Sequence, residues 1–147
     1  MDKNATLEDV KRVKKYHEAQ MAKIEKLLDG GEVETPTPIA KTQCVFGTWL
    51  YAEGNHLEEI IGDMFFNELE EAHAEWHIEY IKIYNIFFKD KKKGFFSGLI
   101  GGNKVDPLEL DKAKMYYHEL QDYSKNMLDA LATCERRMNA ICETKFH

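Results

Sequence analysis

Apolar positions in the first thirty residues recur at steps of three and four, the spacing of one face of an α-helix. This stripe consists of Val10, Val13, His17, Met21, Ile24 and Leu28. Thr6 precedes the stripe as a helix-capping residue, with the acid Asp9 three positions later, and Gly30-Gly31 follows it. The pattern therefore predicts an amphipathic helix that begins at Thr6 and ends at the glycine pair.

The rest of the chain predicts three further helices. A polar connector with two prolines leads to Thr37-Pro38, which can cap a second helix that is apolar almost all round and stops near Gly54-Asn55. A third helical region covers about residues 57–88. The last helix has a strong start signal at Asp106-Pro107, with an acid two positions after the proline, and runs to about Glu143.

These four helices predict the all-α class, as an up-down four-helix bundle with a long C-terminal helix. At 1.5 Å per residue, the roughly 35 residues of the last helix span about 50 Å, which is longer than one compact bundle needs. Its far end is expected to pack against a second subunit, so a homodimer is predicted. The whole chain, residues 1–147, is expected to form a single domain.

The segment of about residues 89–105 interrupts the helical pattern and is expected to be a disordered or mobile insert. Four bulky apolar residues stand among glycines between Gly94 and Gly102, directly after a basic run. Three interpretations stay open for this segment: a loop folded onto the end of the bundle, a docking segment for a partner, or a weak contact with a membrane surface.

Composition and charge exclude several classes of function. A net charge of -6 argues against a general nucleic-acid-binding protein, which needs an excess of Lys and Arg. No apolar run approaches the roughly 20 residues of a membrane span. The first residues lack the apolar core of a signal peptide. Three cysteines are too few, and odd in number, for a secreted disulfide framework, so the expected location is a reducing cytoplasm.

His73 and His77 stand four residues apart in the third helical region, so both imidazoles project from one face and can reach one metal ion. Cys44 and His17 fall on the predicted core faces of the two preceding helices. Taken singly, Cys44 reads as a small buried hydrophobic residue and His17 as a hydrogen-bonded core histidine. Together the four side chains would fill the four tetrahedral positions of a structural zinc site, which is the hypothesis that the sequence supports.

Two other metal chemistries fit the sequence less well. A zinc peptidase needs a glutamate directly after the first histidine of its pair, where this chain has Ala74. A ferritin-like di-iron site needs two Glu-x-x-His motifs, and of the two candidates, residues 70–73 and 53–56, the second spans a Gly-Asn break. A site closed by four protein ligands is structural or sensory, not hydrolytic, and the chain shows no nucleophile–base pairing or phosphate loop. The chain is therefore not expected to be an enzyme.

The run from Cys44 to Tyr51, Cys-Val-Phe-Gly-Thr-Trp-Leu-Tyr, preceded by His17 and followed by the pair His73 and His77, resembles the chemoreceptor zinc-binding (CZB) domain family. The resemblance covers about residues 10–88, and the stretch Tyr123-Ser124-Lys125-Asn126-Met127-Leu128 is similar to the family's closing helix. It implies a cytoplasmic four-helix fold, often dimeric, that binds zinc through three histidines and one cysteine. By that resemblance the ligands are His17, Cys44, His73 and His77.

The same resemblance implies a function in signal transduction. Members of the family regulate chemoreceptors or diguanylate cyclases, and respond to zinc or to oxidants such as hypochlorous acid through the cysteine, here Cys44. The chain departs from the family at Gln20, where a tryptophan is usual, and in the insert Phe95–Ile100. The rival interpretation is a plain interaction module, a helical dimer whose zinc only stabilises the fold.

The remaining histidines and cysteines are expected to lie outside the metal site. His56, His118 and His147 are expected on the surface or on outer helix faces. Cys134 and Cys142 are eight positions apart and project from different faces of the last helix, so both are expected to be inert.

Overall fold

The structure is a computed structural model that describes residues 2–52, 56–89 and 105–146. It contains five α-helices and a final 3₁₀ helix, in the order α1 (Lys3–Leu28), α2 (Val45–Leu50), α3 (Leu57–Ile61), α4 (Asp63–Phe88), α5 (Pro107–Ala140) and Glu143–Phe146. No strand occurs in these three ranges, so the all-α prediction is confirmed. Three of the helices, α1, α4 and α5, are long.

The core lies between these three long helices, with α4 packed along α5 and α1 lying against α5 and the short α2. Each of them buries one apolar stripe, as the three- and four-residue spacing predicts. The largest fully buried side chains include Trp76, Tyr80, Phe46, Leu120 and Met127. Burial of these large side chains is the main favourable contribution to folding.

α1 begins earlier than the sequence suggested. Asp2 is the capping residue, and its carboxylate accepts a hydrogen bond of 2.6 Å from the backbone N–H of Ala5. Thr6, the predicted cap, is buried inside the first turn, where its hydroxyl donates to the carbonyl of Asp2. The predicted end is correct, because Gly30 closes the helix with a φ of 87°, a conformation that glycine adopts readily.

The predicted second helix is wrong in its extent. Residues 38–44 are not helical, and α2 is only six residues long. Cys44 is therefore not inside a helix but is the N-cap of α2, with an extended backbone. The connector between α1 and α2, residues 29–44, contains a turn in which the backbone N–H of Gln43 donates to the carbonyl of Ala40, and it is anchored to α4, since the Tyr80 hydroxyl donates to the carbonyl of Thr37. Gln20 of α1 also holds this connector, accepting a 2.6 Å hydrogen bond from the Thr37 hydroxyl.

The predicted third helix is interrupted. Gly62 separates α3 from α4 and has a φ of 92° and a ψ of 152°, which no helix contains. From Asp63 onward α4 is continuous to Phe88, so the predicted histidine pair does lie on one uninterrupted helix.

α5 confirms its predicted start and most of its length. Asp106 caps it by accepting from the backbone N–H of Leu108 at 3.0 Å, and Pro107 occupies the first turn. Its 34 residues make it about 50 Å long. One face is buried against α1 and α4, through residues that include Ala113, Leu120, Ser124, Met127, Leu131, Cys134 and Met138.

Several sequence predictions fall on residues that the structure does not describe. The insert predicted at about residues 89–105 lies almost wholly outside the described residues, as do His147 and residues 53–55 of the second Glu-x-x-His motif. Within the described part of the chain, none of the helices has both the length and the apolar character needed to cross a membrane.

Candidate metal centre

Cys44 is held in place by the start of α2. Its sulfur accepts a hydrogen bond from the backbone N–H of Gly47 at 3.1 Å, which satisfies one of the free N–H groups of the first turn. The sulfur also lies 3.5 Å from the carbonyl of Lys41. Only 3% of the residue is exposed to solvent. The thiol is thus fixed in position and largely shielded from water.

His73 and His77 reach the same place from α4. The Nε2 atom of His73 lies 3.3 Å from the sulfur of Cys44. His77 donates from Nδ1 to the carbonyl of Ile39 at 2.8 Å, which leaves its Nε2 without a proton and able to bind a cation. The two rings stand nearly perpendicular, with centroids 4.7 Å apart. Both side chains are buried.

The ligand atoms of Cys44, His73 and His77 all lie within 4.8 Å of one another. In a tetrahedral zinc site, a sulfur ligand and a nitrogen ligand are about 3.6 Å apart, close to the separation of Cys44 and His73 given above. The Nδ1 atom of His73 is buried without a hydrogen-bond partner, so this ring has an unsatisfied polar atom. A buried thiol and two imidazoles with unused coordinating atoms fit a zinc ion.

His17 is buried on α1, but it is not part of this group of three. Its Nε2 atom forms a hydrogen bond of 2.7 Å with the hydroxyl of Ser124 on α5. Its ring packs edge-on against Trp76, at a centroid distance of 5.0 Å, and Trp76 contacts His77 in the same way. His17 is therefore linked to the group through Trp76, whose ring contacts both His17 and His77.

Burial sets the electrostatics of all four predicted ligands. Burial lowers the pKa of His17 to about 4, with a further lowering from His77. It lowers the pKa of His73 to about 3, helped by His77, His17 and Lys41. The pKa of His77 falls to about 4, mainly through burial. All three imidazoles are thus neutral at pH 7, the form that binds metals. Burial also raises the pKa of the Cys44 thiol, against the opposing effect of N–H donors such as Gly47.

We expect the metal-free protein to lose stability as the pH falls from 6.5 to 4. The unfolded chain protonates these histidines near their ordinary pKa of 6.5, whereas the folded protein resists protonation down to about pH 4. The unfolded state therefore binds more protons in this window, at a cost of up to about 1.4 kcal/mol per pH unit for each histidine. Urea unfolding at pH 7.5 and pH 5 measures the loss. A His118→Gln variant, changed at an exposed histidine, should show the same loss, and a flat profile would contradict the expectation.

Residues 17–84 match the model of the family described as the chemoreceptor zinc-binding domain, CZB. This stretch of the chain is a CZB domain. The family resemblance seen in the sequence is therefore confirmed, and zinc is confirmed as its cofactor, since the matched stretch contains the Cys/His/His group. The family consists of zinc-binding regulatory or sensory domains and not of enzymes. No curated protein and no solved structure matches the chain.

The CZB domain contains a polar cluster beside the metal centre that sequence reasoning missed. The carboxylate of Glu70 accepts from the ammonium group of Lys41 at 2.6 Å and from the hydroxyl of Tyr51 at 2.8 Å. These contacts tie the connector and α2 to α4, one turn before His73. Glu70 belongs to the only complete Glu-x-x-His motif among the described residues, yet its bonds serve this cluster. Because Lys41, Tyr51 and Glu70 are far apart in the sequence, no spacing pattern indicates that they meet.

The remaining cysteines of the chain lie apart from the CZB metal centre. Cys134 is buried on α5, and its sulfur lies 3.7 Å from the carbonyl of Phe65. Cys142 is exposed beyond the end of α5, where hydrogen bonds from Thr144 lower its thiol pKa. All three cysteines are free thiols. The prediction that Cys134 and Cys142 are inert stays a prediction.

Proposed function

We propose that this chain is a cytoplasmic zinc-binding sensory domain in which His17, Cys44, His73 and His77 hold the metal and Cys44 responds to oxidants. The observation that carries the proposal is the buried group of one sulfur and two imidazoles, whose ligand atoms lie within 4.8 Å of one another. Thiolate and imidazole together suit zinc better than harder cations. The match of residues 17–84 to a zinc-binding family supports the same metal.

His17 is the proposed fourth ligand, because three protein ligands leave a tetrahedral site one position short. It is a buried, neutral imidazole close enough to His77 for that ring to contribute to the lowering of its pKa. The family match begins at this residue. A site closed by four protein ligands offers no place to a substrate, which is why a sensory role is proposed.

The proposed response to oxidants rests on the chemistry of Cys44. When bound, zinc would keep this residue as its thiolate, the nucleophilic form. In the net reaction, the thiolate gains the oxygen of hypochlorous acid and two electrons leave the sulfur, so that the products are a sulfenic acid and chloride. The added oxygen has little room, since the sulfur already lies 3.1 Å from the backbone nitrogen of Gly47.

Oxidation would reach the fold through α2. Cys44 is both the cap of this helix and a proposed ligand, so one chemical change weakens two interactions. α2 packs against α1, and a helix of six residues has little stability of its own without such contacts. Loss of the sulfur as a ligand should therefore loosen α2 and repack the helices around it.

The partners we propose are a second copy of this chain and a chemoreceptor or diguanylate cyclase signalling protein. Leu108 and Met115 of α5 support the homodimer, because they are seven positions apart on one face and are 72% and 55% exposed.

Zinc availability itself is the alternative stimulus for the same sensory site. A chelator competition titration decides it, because a zinc sensor needs an affinity within the range of free cytoplasmic zinc.

One equivalent of hypochlorous acid should release zinc from the purified protein and lower its helix content. The measurement pairs a zinc-indicator dye with circular dichroism. Cys142 is an exposed thiol with a lowered pKa, so a Cys142→Ser variant is the control for any oxidant consumed there and should release zinc at least as completely. Unchanged zinc content and unchanged helix packing in that variant would refute oxidant sensing.

The second candidate is a helical interaction module whose zinc is purely structural. The exposed apolar residues on α5 favour it as much as they favour a signalling dimer. The same titration separates the two, because a structural site should keep its zinc until the whole protein unfolds. Zinc release that coincides with global unfolding, at oxidant doses well above one equivalent, would select the interaction module.

A further inference from the structure

The hydrogen bond between His17 and Ser124 joins α1 to α5 across the core. The two atoms, Nε2 of His17 and Oγ of Ser124, are 2.7 Å apart, and both residues are at least 94% buried, with 3% and 6% of their surfaces exposed. α5 lies beyond the stretch that matches the CZB family, which ends at residue 84. This contact therefore links the proposed metal ligand to a helix outside the matched stretch of the chain.

The same nitrogen has two competing uses. The other two histidines offer Nε2 to the metal centre, since Nε2 of His73 faces the sulfur and Nδ1 of His77 is engaged by a carbonyl. If His17 coordinates in the same way, its Nε2 must leave Ser124, because a nitrogen that shares a hydrogen bond with the hydroxyl, whichever of the two groups donates, has no free lone pair for a metal ion. Consistent with this, His17 is outside the group of three that lies within coordinating range.

We infer that Ser124 is a positioning residue that competes with zinc for His17, so that zinc binding is coupled to release of α5. This inference rests on the function proposed above and adds a regulation to it. With His17 on Ser124, the centre has three ligands and α1 is tied to α5. With His17 on the metal, the centre has four ligands and that tie is broken.

Ser124 loses little free energy when its hydrogen bond to His17 is broken. A serine within a helix can donate its hydroxyl to the carbonyl one turn earlier, so Ser124 has a substitute partner in its own helix. It also lines a cleft of about 310 Å³ between α1 and α5, together with Glu18 and Gln121. A buried polar group with a substitute partner avoids the penalty of remaining unpaired.

The coupling gives α5 a means of responding to the state of the metal. Thermodynamic linkage requires that whatever weakens the His17–Ser124 bond favours zinc, and that zinc weakens the bond by the same factor. Loss of the Cys44 sulfur as a ligand would return His17 to Ser124. The position of α1 relative to α5 would then report the integrity of the site.

Ser124→Ala tests the competition by the sign of its effect on zinc affinity. We expect the variant to bind zinc about tenfold more tightly, the equivalent of one neutral hydrogen bond of about 1.4 kcal/mol. Ser124→Thr keeps the hydroxyl and should bind zinc as the wild type does. In a His17→Ala background, Ser124→Ala should leave the affinity unchanged. Affinities come from chelator competition, with thermal unfolding as the check on folding.

Nitrogen NMR spectra of the histidine side chains give a second readout. The nitrogen chemical shifts of His17 would not change on zinc binding if Ser124 had a merely structural role. On adding zinc to the wild type, Nε2 of His17 should change from a hydrogen-bonded to a metal-bound chemical shift. Zinc binding by the wild type with unchanged or weaker binding by Ser124→Ala would overturn the inference and leave the proposed function intact. A wild type that binds no zinc at all would overturn the proposed function as well.

Discussion

Cys44→Ser should lower the affinity for zinc by more than about 100-fold. Loss of a residue that only supports a ligand costs roughly 10- to 100-fold in metal affinity, and loss of the ligand itself should cost more. The sulfur of Cys44 is 3.3 Å from Nε2 of His73, so its removal takes away the centre's single soft ligand. Chelator competition on the purified variant measures the change.

Serine isolates the metal role of Cys44 from its structural one. Serine is a preferred N-cap residue and can accept the hydrogen bond from Gly47, so α2 should form in the variant. Cys134→Ser is the matched control, because it changes a buried free cysteine of α5 away from the centre and should keep wild-type zinc affinity. Equal affinity in Cys44→Ser and the wild type would show that the sulfur is not a ligand.

Gly47→Ala should destabilise the protein by more than about 3 kcal/mol, the upper end of the usual cost of overpacking. An added Cβ would lie 1.6 Å from the carbonyl oxygen of Lys41 and 3.2 Å from Cε1 of His73. Both the backbone of the connector and a proposed ligand would have to move. For a chain of this size, such a loss corresponds to a fall in Tm of about 10 °C.

Gly30→Ala is the control for the Gly47 substitution. Gly30 has open space around it, but its φ is +87°, so alanine there costs only the strain of a left-handed backbone, about 1–2 kcal/mol. Zinc affinity should fall in Gly47→Ala and stay unchanged in Gly30→Ala. Thermal unfolding with and without zinc compares the two. Equal melting temperatures for both variants would contradict the expectation that the Lys41 carbonyl leaves no room for a side chain at position 47.

Periodicity predicted α1, α4 and α5 well, because each buries one stripe along many turns and the three- and four-residue spacing is then repeated often. It failed for residues 38–44, which were predicted as the first part of a longer second helix. Tertiary contacts decide that region: the carbonyls of Thr37 and Ile39 accept from Tyr80 and His77 of α4, and no helix forms there before Cys44.

The metal centre, too, could be predicted only in part from the sequence. The pair His73 and His77 could be read from spacing alone, since residues four apart on a helix share a face. That Cys44 joins them depends on a backbone path that no local pattern encodes. The partner of His17, Ser124, is 107 positions away, and nothing in either neighbourhood indicates the bond.

The sequence by itself determined that the chain is helical, which faces of the long helices are buried and which residue types could hold zinc. Those properties depend on side-chain chemistry and on a helical repeat of 3.6 residues, both of which are local. Only the tertiary structure decided which of these residues meet, because contacts between distant segments follow from packing. It brought Cys44, His73 and His77 together and set His17 against Ser124.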